Sequence, residues 1–182
     1  MNRKIITLDL APPAEKVDNL KVPKKRVITT TTEWTGLAND LGPEQQWTYI
    51  SQLYHNRIDD NDDARCSLIT RQIKNKISAY RSQDTRKGLL NEAELADART
   101  AIELLYAAEN KCFYCKTPVR ILYENVRDPR QWSLDRIDNS LGHVKRNLMI
   151  ACLECNLRRK TMYHERYAYT KQLVIVRKES SS

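Results

Sequence analysis

Four of the five cysteines in this chain fall into two pairs, Cys112-x-x-Cys115 and Cys152-x-x-Cys155. Two such pairs offer four thiolates, the donor set that one tetrahedral Zn²⁺ takes at Zn–S of about 2.3 Å. A closed four-sulfur shell leaves no open coordination position, so this zinc is expected to be structural, a staple for the segment between the pairs. Two disulfides or free thiols are the other use of the same residues, but paired CxxC with one cysteine left over favours metal in a reducing compartment. The fifth, Cys66, lies on a helical stretch and is expected to be a small buried apolar side chain.

A second group of polar residues lies between and just after the pairs. It runs Leu134-Asp135-Arg136-Ile137-Asp138-Asn139, then Gly142-His143, Asn147, and Asn156 directly after Cys155, followed by Arg158-Arg159-Lys160. Asp135 on an extended segment and Asn156 at a helix start each offer a hard oxygen, which suits Mg²⁺ or Mn²⁺. Taken singly, Asp135 reads as a turn carboxylate and Asn156 as a helix cap. Together, at this spacing and between two knuckles, they read as metal ligands.

From Cys112 to Lys160 the pattern resembles the HNH (ββα-metal, or His-Me finger) endonuclease family, in the Asp-Arg variant found in phage, large-virus and some restriction HNH proteins. The resemblance implies a catalytic Mg²⁺ or Mn²⁺ on Asp135 and Asn156, hydrolysis of a DNA phosphodiester to 5′-phosphate and 3′-hydroxyl, and approach to DNA through the minor groove. It also makes Asn147 the structural Asn that holds the loop over the site. Arg136 stands where most members carry the general-base His. An arginine stays protonated and cannot serve as that base, although its planar fork can grip a phosphate. Either the base comes from elsewhere, or the module binds nucleic acid without cutting it. Two substitutes are in view. Tyr114, inside the first knuckle, corresponds to a tyrosine assigned to water activation in a subset of HNH restriction enzymes, and it can equally be a packed aromatic. His143 has a suitable pKa, but the plainer reading is a loop histidine that contacts phosphate or has no role. Asp138 orients Arg136 or forms an ordinary turn hydrogen bond.

These residues need elements to position them. The composition fits an α+β chain: an N-terminal helical region followed by a zinc-stapled ββα-metal module. Residues 1–40, with prolines and the run Lys24-Lys25-Arg26, read as a basic arm or linker. Residues 41–110 read as helices: one from Pro43 to about Ile58, a second from Ala64 to Ser82, and a third capped by Asn91 and ending near Asn110. Residues 111–170 hold the module, with strands at Val119–Tyr123, Trp132–Arg136 and Leu148–Ile150, then one helix from Cys152 to about Tyr169. Residues 171–182 read as a strand at Val174–Val176 and a tail.

The net charge of +8 points to a polyanionic partner, DNA first. Lys145, Arg146, Arg158, Arg159 and Lys160 beside the proposed metal, with Arg71 and Lys74 on the second helix, are the expected phosphate contacts. No segment suggests a membrane span or a signal peptide, so a soluble intracellular protein, cytoplasmic or nuclear, is expected. Monomer and homodimer both fit.

Overall fold

A run of helical spacing from Trp47 to Tyr54 needs an apolar partner, and the structure supplies one in a second helix. The structure, a computed structural model, describes residues 24–26, 34 and 42–173. Helix α1, Pro43–His55, opens with proline at its first turn and Glu44 beside it, which suits the helix dipole and the missing N–H. Helix α2, Asp63–Lys87, and helix α3, Ala98–Ala107, complete the helical region. Tyr106 of α3 stacks on Tyr54 at 3.9 Å between ring centroids and on Trp47 at 5.2 Å. Ile50, Ile69, Ile73 and Leu105 are buried between the helices. Cys66 is buried as expected, its thiol turned to Gln52 Oε1 at 3.5 Å.

Several expected boundaries shift for identifiable reasons. Helix α1 stops at His55 because Asn56 turns left-handed at φ 53, and Ile58 is left exposed. Helix α2 runs past Ser82 until Gly88, whose φ of 66 provides the left-handed end that favours glycine. Helix α3 starts at Ala98, not after Asn91, because Asp97 accepts from Thr100 N at 2.8 Å and is the working cap. The stretch before it is drawn into a tertiary bridge, with Ala96 N donating to His143 O and Lys145 N to Glu94 O, both at 2.9 Å.

The module is strand, loop, strand, helix. Strand β1, Trp132–Arg136, pairs antiparallel with β2, Leu148–Cys152, in the register Leu134↔Ile150 and Asp135↔Met149. Helix α4, Leu153–Arg159, leaves β2 without a loop, and α5, His164–Gln172, follows. The single helix expected from Cys152 to Tyr169 is therefore broken, at Lys160 with φ 53. In the Val119–Tyr123 segment Val119, Ile121 and Leu122 are buried, but it is not a strand of the sheet and pairs only through an isolated bridge, Arg120↔Gln131. The side chain of Gln46 serves its backbone instead: Oε1 accepts from Ile121 N at 2.7 Å and Leu122 N at 3.0 Å, while Nε2 donates to Leu122 O at 3.3 Å.

Helix α2 joins the two regions. Lys76, Tyr80 and Asp84 recur every four residues and so share one face. Lys76 Nζ donates to the Trp132 carbonyl, Leu134 N donates to the Tyr80 hydroxyl at 3.0 Å, and Asp84 takes the loop at His143. A helix face thus covers the edge of β1 that β2 does not pair, answering its open backbone groups. Of the expected N-terminal arm, residues 24–26 dock on the body: Arg26 N donates to Glu124 O and Val126 N to Lys24 O, both at 2.8 Å. The strand expected at 174–176 lies outside the described residues. Among the described residues no helix is long and apolar enough to cross a membrane.

Candidate metal centre and active site

The first cysteine pair sits on a tight turn. Cys112 N donates to Thr117 O and Lys116 N to Cys112 O, both at 2.9 Å, and Lys116 takes φ 60. Phe113 N donates to Ile150 O at 2.8 Å, which docks this turn against β2. The second pair needs no loop. Cys152 ends β2 and caps α4, its sulfur accepting from Cys155 N at 3.4 Å. All four sulfurs lie within 4.8 Å of one another, and Cys115 Sγ is 3.9 Å from Cys152 Sγ. A tetrahedron with Zn–S bonds of about 2.3 Å has edges of roughly 3.8 Å, so the cluster is already close to metal-binding shape. None of the five cysteines is in a disulfide.

The electrostatics of the cluster also call for a cation. A hydrogen bond from Cys152 pulls the Cys112 thiol down to about 5. Burial pushes Cys155 up to about 12, and the charge on Cys112 adds to it. Cys152 is pushed up by its hydrogen bond to Cys112 and then by burial. One thiolate can form alone; four can coexist only around a positive ion. This group can hold a metal such as zinc, as the spacing suggested.

Asp135 lies on the same face of β1 as Ser133, the face that α4 covers. It is 4% exposed. Tyr114 OH donates to its Oδ2 and Arg159 Nη1 to its Oδ1, both at 2.6 Å. Burial raises its pKa, and these two donors oppose the rise. One residue pair along, Asn156 Nδ2 donates to Ser133 Oγ at 3.1 Å, and Ser133 Oγ donates to Ala151 O at 2.9 Å. Ser133 thereby fixes the Asn156 amide, a role that the sequence did not suggest. Residues two apart on a strand are about 7 Å apart along it, so Asp135 and the Ser133 that holds the Asn156 amide are same-face neighbours on β1.

The loop between the strands is tied down by Asn147, as expected. Its Oδ1 accepts from Asp138 N and its Nδ2 donates to Asp138 O, both at 2.8 Å, and Nδ2 also reaches Gly142 O at 3.2 Å. Arg136 folds onto the same loop, Nη1 donating to Leu141 O at 2.8 Å and Asn139 O at 3.2 Å. Asp138 accepts from Ser140 N and does not orient Arg136, which is the ordinary turn arrangement.

Three expected roles need correction. Arg159 is not on a DNA-facing surface: it is 2% exposed and donates to Asp135, to Arg136 O at 2.7 Å, to Ile137 O at 3.1 Å and to Met162 O at 2.8 Å. Arg158 and Arg159 end α4 and Lys160 follows it; consecutive helical residues point to different sides, and the Asp135 carboxylate takes Arg159. His143 is not an open loop residue: it is 4% exposed, its Nδ1 lies 2.9 Å from Asp84 Oδ1, and its ring stacks on Tyr80 at 4.3 Å. Gly142 permits this approach, because a Cβ there would meet the Leu89 carbonyl oxygen and lie 2.9 Å from Asp84 Oδ2. Tyr114 is 2% exposed, and burial and its bond to Asp135 both push its pKa up, away from the phenolate a base would need.

The remaining expected contacts stay at the surface. Arg146, Lys160 and Lys74 are exposed. Arg158 is exposed beside Glu154 at 2.9 Å, and Lys145 beside Asp97 at 3.3 Å. Arg71 is exposed on α2.

Burial holds the His143 pKa below its ordinary value of 6.5. The unfolded chain takes up a proton near pH 6.5, where the folded one resists it. Stability that His143 contributes is therefore present above about pH 6.5 and is lost as pH falls toward the folded pKa. Urea unfolding at about pH 7.5 and about pH 5.5 should show a lower midpoint in acid, and a smaller drop in His143→Gln. Equal drops in both proteins would remove His143 as the cause.

Comparisons of the chain with protein-family models, with curated proteins and with solved structures find no match.

Proposed function

We propose that this protein is an HNH-type, metal-dependent DNA endonuclease, with a structural zinc on the four cysteines and a catalytic Mg²⁺ or Mn²⁺ on Asp135 and Asn156. One observation carries the reading: the amide of Asn156, on the helix that follows β2, is bonded to Ser133, the residue two before Asp135 on the same face of β1. The donor set suits a hard divalent ion. Each Asp135 oxygen offers two lone pairs and accepts one side-chain hydrogen bond, while Asn156 spends only its NH₂ group on Ser133.

A divalent ion held there supplies Lewis-acid stabilisation of charge on the phosphate and on the leaving 3′ oxygen. The chain's own residues do the rest. Arg136 binds the loop carbonyls through Nη1 alone, so its remaining N–H groups can take a phosphate oxygen. Arg159 and Tyr114 fix Asp135 in one rotamer. Asn147 holds the loop beside it. Arg146, Arg158 and Lys160 carry backbone phosphates flanking the cut.

A second reading, a zinc module that binds nucleic acid without cleaving it, is favoured by the state of the three residues where a base was sought. Arg136 cannot accept a proton, Tyr114 is committed to Asp135, and His143 to Asp84. Plasmid incubated with pure protein and Mg²⁺ or Mn²⁺ separates the two. The nuclease reading expects nicking that is lost in Asn156→Ala, a half-buried site whose replacement leaves the Arg159–Asp135 pair intact. Binding without nicking, unchanged by Asn156→Ala or by added metal, would establish the second reading instead.

A further inference from the structure

Tyr167 lies in the first turn of α5 and is 6% exposed. Its ring meets that of Tyr114 edge-on at 4.9 Å between centroids, and Tyr114 stands between Cys112 and Cys115. The Tyr167 hydroxyl is buried and makes no hydrogen bond among the described residues. A buried hydroxyl without a partner is costly, and native proteins seldom keep one without a reason. Cys155 is beside it: burial, and then the charge of a Cys155 thiolate able to accept from it, push the Tyr167 pKa up.

A second hydroxyl touches the same cluster. Thr117 Oγ1 is 2.9 Å from Cys115 Sγ, the half-buried member of the four. The other two sulfurs are served from nearer by. Cys152 Sγ accepts from Cys155 N at 3.4 Å, and Cys112 is held down by the bond from Cys152 and then by the amides of Cys115, Cys152 and Tyr114. Four thiolates carry two more negative charges than one Zn²⁺ cancels. Three of these sulfurs belong to buried residues, where an excess charge is expensive unless donors spread it. With Thr117 and Tyr167 included, each of the four sulfurs has a donor.

We propose that the hydroxyls of Thr117 and Tyr167 are the outer donors of the cluster, Thr117 to the Cys115 thiolate and Tyr167 to the Cys155 thiolate, and that they set how tightly it holds zinc. The proposal rests on the four cysteines holding a metal and not on the nuclease reading. Both are positioning residues, acting on the ion through a sulfur. Such a bond spreads the excess charge and fixes the direction of the sulfur lone pairs, and removing a partner of this kind costs about 10–100-fold in metal affinity. Tyr167 also lies beyond the last cysteine, so its bond ties α5 to the metal.

The test uses the full chain. Tyr167→Phe keeps the ring against Tyr114 and removes one oxygen, and Thr117→Val removes the other hydroxyl while keeping the side chain's shape. Each should bind zinc about tenfold or more weaker in competition with a chromogenic chelator. With Co²⁺ in place of zinc, each should move the thiolate-to-metal charge-transfer band to longer wavelength, because a sulfur that has lost its donor gives up electron density more readily. Thr117→Ser should keep both values of the unaltered protein. Tyr163→Phe, which alters a ring 81% exposed just before α5, should change neither. Unchanged affinity and spectrum in both variants, or affinity lost with the band unmoved, would overturn the proposal; the latter would make the hydroxyls packing groups only. A chain that takes up neither ion would overturn the four-cysteine site and the proposal with it. Each variant reads its own sulfur, so a failure of one to fold leaves the other decisive.

Discussion

Removing zinc is expected to unfold the segment from Cys112 to Arg159. The two strands are five residues each and α4 is seven, too little structure to stand alone. The cysteines link all of it: Cys112 and Cys115 hold the turn that docks on β2, Cys152 ends that strand, and Cys155 lies in α4. Structural zinc sites carry about 10–16 kcal/mol of apparent binding free energy at pH 7, comparable to or above the whole stability of an ordinary domain. A chelator, or Cys152→Ser, should therefore abolish the cooperative thermal transition followed by circular dichroism, and the purified protein should contain one zinc per chain. Cys66→Ala, whose thiol lies apart from the cluster beside Gln52, should keep the full zinc content. A metal-free protein that melts at the same temperature as the loaded one would remove zinc from the fold.

The second large effect is expected at Arg159. Its guanidinium makes four bonds to oxygens, one of them to the buried Asp135 carboxylate. Arg159→Met leaves that carboxylate without its charged partner, and breaking a buried pair by removing one partner costs about 3–5 kcal/mol. Arg159→Lys should rescue little, because a single ammonium cannot span the fork of acceptors at Asp135, Arg136, Ile137 and Met162. Adding Asp135→Asn to Arg159→Met should recover part of the loss, since the stranded charge goes with it. Urea unfolding of the three variants measures this. A loss below about 1 kcal/mol in Arg159→Met would mean that the side chain is solvated, which would return it to the set of phosphate contacts.

The same two sites show why some roles were readable and others were not. A knuckle is local: two residues between cysteines fix the geometry of each pair, and four thiolates have few uses. Strand β1 has the bounds read for it, Trp132–Arg136, where Trp132 and Leu134 alternate with Ser133 and Asp135 at the period of a strand, whereas the more apolar, β-branched run Val119–Tyr123 is not a strand of the sheet. Cations are different. Arg158, Arg159 and Lys160 are indistinguishable as letters, and only the angle at which α4 crosses the sheet decides that the middle one is buried. His143 looked like a free loop residue because its partner, Asp84, lies 59 positions away.

By itself the sequence determined the four-cysteine cluster and the strand–loop–strand–helix order, because each depends on residues near in the chain or on a donor set with one chemistry; Asn147 as the tie across the loop was implied by the resemblance. Tertiary structure alone decided that α2 seals the free edge of β1 through Lys76, Tyr80 and Asp84, that Gln46 takes the place of a strand beside Ile121, and that Tyr114 and Arg159 close on Asp135. Those outcomes turn on long-range polar matching. A buried carboxylate, an open strand edge or an unpaired amide is satisfied by whichever donor packing brings within 3 Å, and the order of letters along the chain does not carry that information.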